Sequence, residues 1–359
     1  MPANRYARIA LFAAVVVAVQ VTTNLAGKAF FLTQLTMAAY YTLVAAGLSV
    51  LMGYAGQISI GHAAFFAIGG YATGVLTTAD LTPLRGGVLV GALERVHVLV
   101  QRTDLYGGVT LSVHPWAAIT VALGIVLVVA FAIGVPVLKL KGHYLAMATL
   151  GFGTIVYSIV LGVERLGAAD GIGSVPPFPI AFGLAVGGGR DARVENFYVA
   201  WGLVALSLLL LSNLVESRVG RALRAIHGAE DAAGAMGVDV ARYKLKTFVL
   251  SAVLAAVGGA FLTHYNAGIG PGEAAIMKSV RYVAIVAVGG MGSLWGTVAT
   301  SAVLNFLSLR GYFGTLDDAV FGAVLVGVML FSPEGILRLD GRAALAALAA
   351  RFRSPGVQP

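Results

Sequence analysis

Apolar segments long enough to cross a bilayer recur along the whole chain, at residues 9–25, 30–52, 58–79, 116–138, 144–163, 197–214 and 247–266. A run of 31 follows at 279–309, and a shorter one at 318–331. A hydrocarbon core of about 30 Å takes roughly 20 helical residues, so the 31-residue run is too long for one upright helix, and GGMGSLWG at 289–296 is expected to break it in two. The reading is an all-α polytopic integral membrane protein with about ten transmembrane helices, forming a single membrane domain over residues 1–359. Composition agrees: 58% of residues are hydrophobic, 11% are charged and mean hydropathy is +0.88, far outside the soluble range. The 47 glycines suit helices packed closely in lipid.

Charge tests the topology independently. Ten spans with the amino terminus inside return the carboxyl terminus to the inside. The inside segments then carry fourteen cations and six acids, a net +8, and the outside segments ten of each, a net of zero. That asymmetry is the positive-inside rule. Arg5 and Arg8 before the first apolar run resemble the start of a signal peptide, but no small-x-small site follows, and a retained first helix is expected. Residues 80–114 and 164–195 fall outside. In the first, Val96, Val98 and Val100, then Val109, Leu111 and Val113, alternate with polar residues, the pattern of a β-hairpin in an external insertion. Residues 338–359 form a cytoplasmic basic tail with Arg338, Arg342, Arg351 and Arg353.

The longest helix-forming polar segment lies at residues 215–246, with six cations (Arg218, Arg221, Arg224, Arg242, Lys244, Lys246) and four acids. Within it, residues 229–236 read as a short helix, with Glu230 and Asp231 in its first turn and Gly237 at its stop. About two turns of helix are unstable alone in water, so it packs against something. Gly56, Gln57, Ser59, His62 and Gly290 place glycine and polar groups at the GYAGQ and GGMGS breaks, where irregular backbone is tolerated if it lines a cavity. They are candidates for a translocation pathway. The plainer readings stand beside these: glycines as packing sites, and Arg218, Arg221 and Arg224 as anchors to lipid phosphates.

Several chemistries are missing. There is no cysteine, hence no disulfide or thiolate site. No GxxxxGK[ST] phosphate loop, metal-spaced histidine pair or GxSxG elbow occurs, and the six histidines are scattered singly. The cations sit at the ends of apolar segments, which fits membrane topology and not nucleic-acid binding. No acid or cation falls within the span cores as drawn, which weighs against a secondary transporter.

Several motifs in order, LMGYAGQISIGHAAFFAIGGY (51–71), LKGHYLAMATLGFG (140–153), GRALRAIHGAEDAAGAMGVDVARYKL (220–245), VGGMGSLWG (288–296) and SPEGIL (332–337), resemble the permeases of branched-chain amino acid ABC importers, the LivH/LivM type and the LivM branch above all. The resemblance implies a fold of the vitamin B12 importer kind and an inner-membrane subunit with no cofactor of its own, ATP being bound by partner subunits. It also implies a second, LivH-like permease, two ABC ATPase subunits and a periplasmic substrate-binding protein. Arg221, Arg224, Glu230, Ala233 and Gly237 match the family's ATPase-coupling loop. Two departures stand out: a longer insertion at 80–114, and LGAADGIGSVPP at 166–177, which lacks the Thr-Gly-Gly that often opens the family's outer loop. The alternatives are an ABC permease for urea or short amides and a stand-alone secondary transporter or channel. In this cysteine-free chain, Ala92→Cys and Ala229→Cys should label from opposite sides of the membrane with an impermeant thiol reagent; labelling from one side would overturn the ten-span topology.

Overall fold

Helix α2 (Phe31–Gly53) is apolar around nearly its whole circumference, and a helix of that kind has to be covered on every side. Seventeen of its 23 residues are buried. It is enclosed chiefly by α6 (Arg193–Glu216), α9 (Val240–Tyr265) and α11 (Leu294–Leu309), while α3 (His62–Thr78) packs chiefly against α9. The computed structural model describes residues 3–84, 91, 94, 98–103, 108–140, 142–180 and 183–331. The 332–337 motif, the basic tail and most of 85–97 lie outside the described residues.

The core seam runs between α2, α3 and α9, where glycines replace side chains. A Cβ at Gly259 of α9 would stand 1.9 Å from the Phe66 carbonyl oxygen of α3, and one at Gly258 would stand 2.6 Å from the Tyr40 carbonyl oxygen of α2. Backbones this close gain dispersion contact that lipid cannot match. Around the seam lie α1 (Ala3–Leu25), α4 (Pro115–Val137) and α5 (His143–Gly162). Their exposed side chains are large and apolar, among them Leu11, Val128 and Ile155, as suits surfaces that meet lipid.

Among the described residues, six helices are long and apolar enough to cross a membrane: α1 from Tyr6, α2, α4, α5, α6 and α9. The other four elements read as spans are shorter. α3 has 17 residues, α10 (Ile276–Gly289) 14, α11 16 and α12 (Asp317–Phe331) 15, or roughly 21–26 Å at 1.5 Å per residue. The 279–309 run is broken at 290–293, between α10 and α11, but α10 starts three residues before that run begins.

Residues 267–278 differ from the sequence reading, which placed them on the outer face with their charges. The chain leaves α9, forms a 3-10 turn at Pro271–Ala274 and enters α10 deep in the bundle. Tyr41, eleventh of the 23 residues of α2, donates its hydroxyl to Glu273 Oε1 at 2.8 Å. Glu273 therefore sits beside the midpoint of a spanning helix. An acid and a cation are thus held beside the middle of α2, where the sequence reading placed none.

Outside the helices, β1 (Leu99–Thr103) pairs antiparallel with β2 (Val109–Val113), Gln101 opposite Leu111. Asp80 anchors the hairpin to the end of α3, accepting from the amides of Thr82 (2.9 Å) and Leu111 (3.3 Å). These bonds and the Thr82 hydroxyl hold its carboxyl below the usual carboxylate range. Two-residue strands β3 (Phe178–Pro179) and β4 (Ala185–Val186) pair nearby, and Ile172 exchanges both backbone bonds with Ile269 at 2.9 Å.

Gly259→Ala should lower the melting temperature of the purified protein in detergent, at a cost on the order of 3 kcal/mol, since overpacking costs typically ~1–3 kcal/mol and here the neighbour is backbone. Gly202→Ala, where a Cβ meets nothing within 4 Å, should leave it unchanged.

Candidate functional site

Two polar regions stand out, one at the end of α6 and one inside the bundle. At the first, Ser217 stops α6: its hydroxyl donates to the Leu214 carbonyl (2.6 Å) and accepts from the Val219 amide (3.1 Å). Helix α7 (Arg218–Gly228) then turns its buried face inward through Gly220, Leu223 and Ile226, the three-residue spacing of an amphipathic helix. Arg221 is exposed on the other side, and Arg224 reaches back to the Val215 carbonyl at 3.1 Å.

Helix α8 (Glu230–Ala235) follows directly. Gly237 has φ +84°; the Val238 amide bonds to the Ala233 carbonyl (3.1 Å) and the Gly237 amide to the Gly234 carbonyl (3.0 Å). That is a Schellman stop, which a left-handed residue makes possible. Glu230 accepts a hydrogen bond from Lys244 of α9, whose side chain is only 9% exposed. Ala233 is buried against its own chain, whereas Met236 at the helix end is 86% exposed. Of the five residues matched to the coupling loop, Arg221 faces outward, Arg224 and Glu230 are tied to the chain's own groups, Ala233 packs inward and Gly237 shapes the turn. Met236 is the exposed tip that sequence reasoning passed over, reading it only as the last helical residue.

The glycine breaks lie directly behind this platform. Gly56 has φ +67°, and a Cβ there would stand 2.8 Å from His227 Nδ1 of α7. The Tyr54 hydroxyl donates to the Gly292 carbonyl at 2.6 Å, and a Cβ on Gly53 would stand 2.2 Å from the Gly292 nitrogen. The GYAGQ and GGMGS turns are thus in contact with each other, one of them touching α7. Gly290, buried with φ +92°, begins the second turn.

Ser59 and His62 are enclosed: His62 Nδ1 meets Ser59 Oγ at 3.0 Å and Nε2 meets Ser251 Oγ at 2.8 Å, so both ring nitrogens have partners. The backbone at the entry to α3 is capped from other helices, the Ile60 amide before it by Thr149 Oγ1 (3.0 Å) and the Ala63 amide in its first turn by Ser279 Oγ (3.1 Å). Gln57 is buried as well, and neither of its amide atoms has a partner. In this subunit the four residues at 56, 57, 59 and 62 make a knot that seats α3, with only Gly56 exposed.

The second region sequence reasoning missed. Lys278 Nζ donates to Glu273 Oε1 (3.1 Å) and to the Tyr41 hydroxyl (3.2 Å), and lies 4.5 Å from the centre of the Tyr41 ring. One turn on, Arg281 binds Asp317 (2.7 Å), Asp318 (2.8 Å) and Ser308 (2.9 Å), joining α10 to α12 and α11. Among the described residues no group of three His, Cys, Asp or Glu side chains is placed to hold a metal.

A helical bundle with several apolar spans, a polar helical platform and charge held at half depth is the build of a membrane permease. The comparisons narrow the class: residues 30–330 match the family described as "Branched-chain amino acid transport system / permease component", and the chain belongs to that family. It is 30% identical over 325 residues to the high-affinity branched-chain amino acid transport system permease protein LivM of Salmonella typhimurium, covering 84% of this chain and 68% of that protein. It is 29% identical to LivM of Escherichia coli over the same shares, and 25% identical to LivH of that organism over 86% of this chain and 96% of LivH. No solved structure matches.

Lys244→Met leaves Glu230 without its cation and should loosen α8. We expect a loss on the order of 2 kcal/mol, below the ~3–5 kcal/mol for breaking a fully buried pair, because Glu230 keeps 32% side-chain exposure. Faster hydrogen exchange over residues 230–238, partly restored by adding Glu230→Gln, is the expected reading; unchanged exchange would show that the pair does not hold α8.

Proposed function

We propose that the chain is the transmembrane permease subunit of an ATP-driven ABC importer for branched-chain, small apolar amino acids. It works in the bacterial inner membrane with both termini cytoplasmic, beside a second, LivH-like permease, two ATPase subunits and a periplasmic binding protein. It holds no cofactor, and ATP is bound by the partner ATPases. The observation that carries the reading is the α7–α8 platform: a short helix with an exposed tip at Met236, rigidly stopped at Gly237 and pinned to α9 by Lys244, stands off a bundle whose family is one of transport permeases. A docked ATPase moving that platform would push, through His227, on the Gly56 turn that seats α3.

The mechanism needs no chemistry on the substrate. Closure of the ATPases displaces α7 and α8 as a unit, because Leu223 and Ile226 bury α7 and the Glu230–Lys244 pair fixes α8. The displacement reaches the two glycine turns, and the helices they join, α2 with α3 and α10 with α11, shift against each other. Substrate released from the binding protein then passes inward.

Two alternatives keep a footing. A permease for urea or short amides would share this architecture, and a stand-alone ion-coupled transporter would make use of the half-depth charges at Glu273 and Lys278. The separating experiment is reconstitution in vesicles. We expect the purified chain neither to bind nor to hydrolyse ATP, and leucine uptake to require the ATPases and the second permease. Gly237→Val, which forces a side chain into left-handed backbone at roughly 1–2 kcal/mol, should uncouple hydrolysis from uptake while the protein stays in the membrane. Leucine accumulation driven by an ion gradient without ATPase, untouched by Gly237→Val, would favour the stand-alone transporter.

A further inference from the structure

The Glu273–Lys278 pair is not explained by holding the fold together. Ionised groups at half depth of a membrane bundle are expensive and mark function by default. A pair whose only task is to pin the 3-10 turn at Pro271–Ala274 would have its polar atoms satisfied. Here Glu273 Oε2 is buried without a hydrogen-bond partner, and so are the hydroxyls of Tyr282 and Tyr71. Tyr282 is 1% exposed, its ring centre 6.3 Å from that of Tyr41, and Tyr71 lies on α3, which packs against the 3-10 turn that carries Glu273. Lys278 has three N–H donors and uses two, on Glu273 and Tyr41. One unused carboxylate oxygen, one unused ammonium proton and two unused hydroxyls are gathered around a single ion pair.

The pair is also within reach of a solute. The Lys278 and Glu273 side chains keep 23% and 19% exposure, and the adjoining Met277 is 52% exposed. A surface bearing charge at that depth is badly matched to lipid, so in the assembly it faces protein or a water-filled passage.

We propose that Glu273 and Lys278, with Tyr282 and Tyr71, form a subsite for the charged end of an α-amino acid zwitterion on its way through the permease. This rests on the reading of the substrate as an amino acid. Glu273 accepts from the α-ammonium group and Lys278 donates to the α-carboxylate, both through side chains that keep partial exposure. The protein pair closes on itself when the zwitterion leaves, so neither charge is left alone in the bundle. The pairing accepts any amino acid by its shared end and places no demand on the side chain. Urea and short amides carry neither charge.

The absence of cysteine permits a readout other than transport. The full complex carrying Met277→Cys, shown first to take up leucine with ATP, is treated from the outer side with a charged methanethiosulfonate, and the labelling rate is followed. Leucine should slow labelling, while 4-methylpentanoate, which lacks the ammonium group, and isopentylamine, which lacks the carboxylate, should not. Glu273→Gln and Lys278→Gln should each weaken the protection about tenfold, as expected for removing one charged hydrogen bond. If either variant fails to assemble, Tyr282→Phe offers the same reading with a smaller effect. Labelling that leucine does not slow in a complex that transports leucine, or protection in both charge variants as strong as in the unmodified complex, would overturn the subsite and leave the transport reading standing. If neither Met277→Cys nor Gly272→Cys labels in a working complex, the pair is out of reach of any solute and the assignment falls. A complex that takes up no leucine at all would instead count against the proposed function.

Discussion

Backbone amides and carbonyls inside a bilayer have no water to turn to, and each one left without a partner is a penalty of several kcal/mol. Among the described residues, three breaks between packed helices depart from regular helix: residues 54–61, 266–275 and 290–293. At each place the missing bonds come from another element. Thr149 and Ser279 take amides at the entry to α3, Tyr54 donates to the Gly292 carbonyl, and Ile172 and Ile269 exchange bonds where α9 ends. The irregular segments are therefore not loosely attached. They are where α3, α5, α10 and the outer connection are locked to one another, and the glycine seam of α2, α3 and α9 can be tight only because its ends are held this way.

The same economy links the platform to the interior. Gly56 leaves room for the His227 ring, and Gly53 leaves room for the Gly292 backbone. A side chain at either position would separate α7 from the turn before α3, or one glycine turn from the other. Contact, not a flexible hinge, is what lets displacement at α7 reach the bundle.

Much of the bundle was legible. The six longest helices stand where apolar runs predict them, and the break in the 279–309 run falls at GGMGS because no helix accommodates Gly290 at φ +92°. The stop at Gly237 was legible for the same reason. The split between α6 and α7 was not, since residues 215–228 have continuous helix propensity and only the local bonds of Ser217 and the inward face of α7 decide it. Ala233 could not be oriented from sequence, because six residues carry too little periodicity to show which face is buried. Residues 267–278 misled most: Glu273 and Lys278 read as surface charges, and nothing local shows that Tyr41, more than 230 positions away, would be their partner. His62 carried a polar signal, and its two serine partners, one of them 189 positions distant, turn it into a structural knot.

The short helices bear on how such a chain is made. α10, α11 and α12 are made after the helices they pack on, and none is long enough to sit alone across a ~30 Å core; α10 would also bring Lys278 and Arg281 into lipid without Glu273, Asp317 and Asp318 in place. Their insertion has to be templated. The template is α2, among the first segments made, whose Tyr41, Thr42 and Ser49 await Glu273, Ser301 and Thr297. Assembly of the bundle thus closes α10 and α11 onto polar side chains that α2 presents from the start.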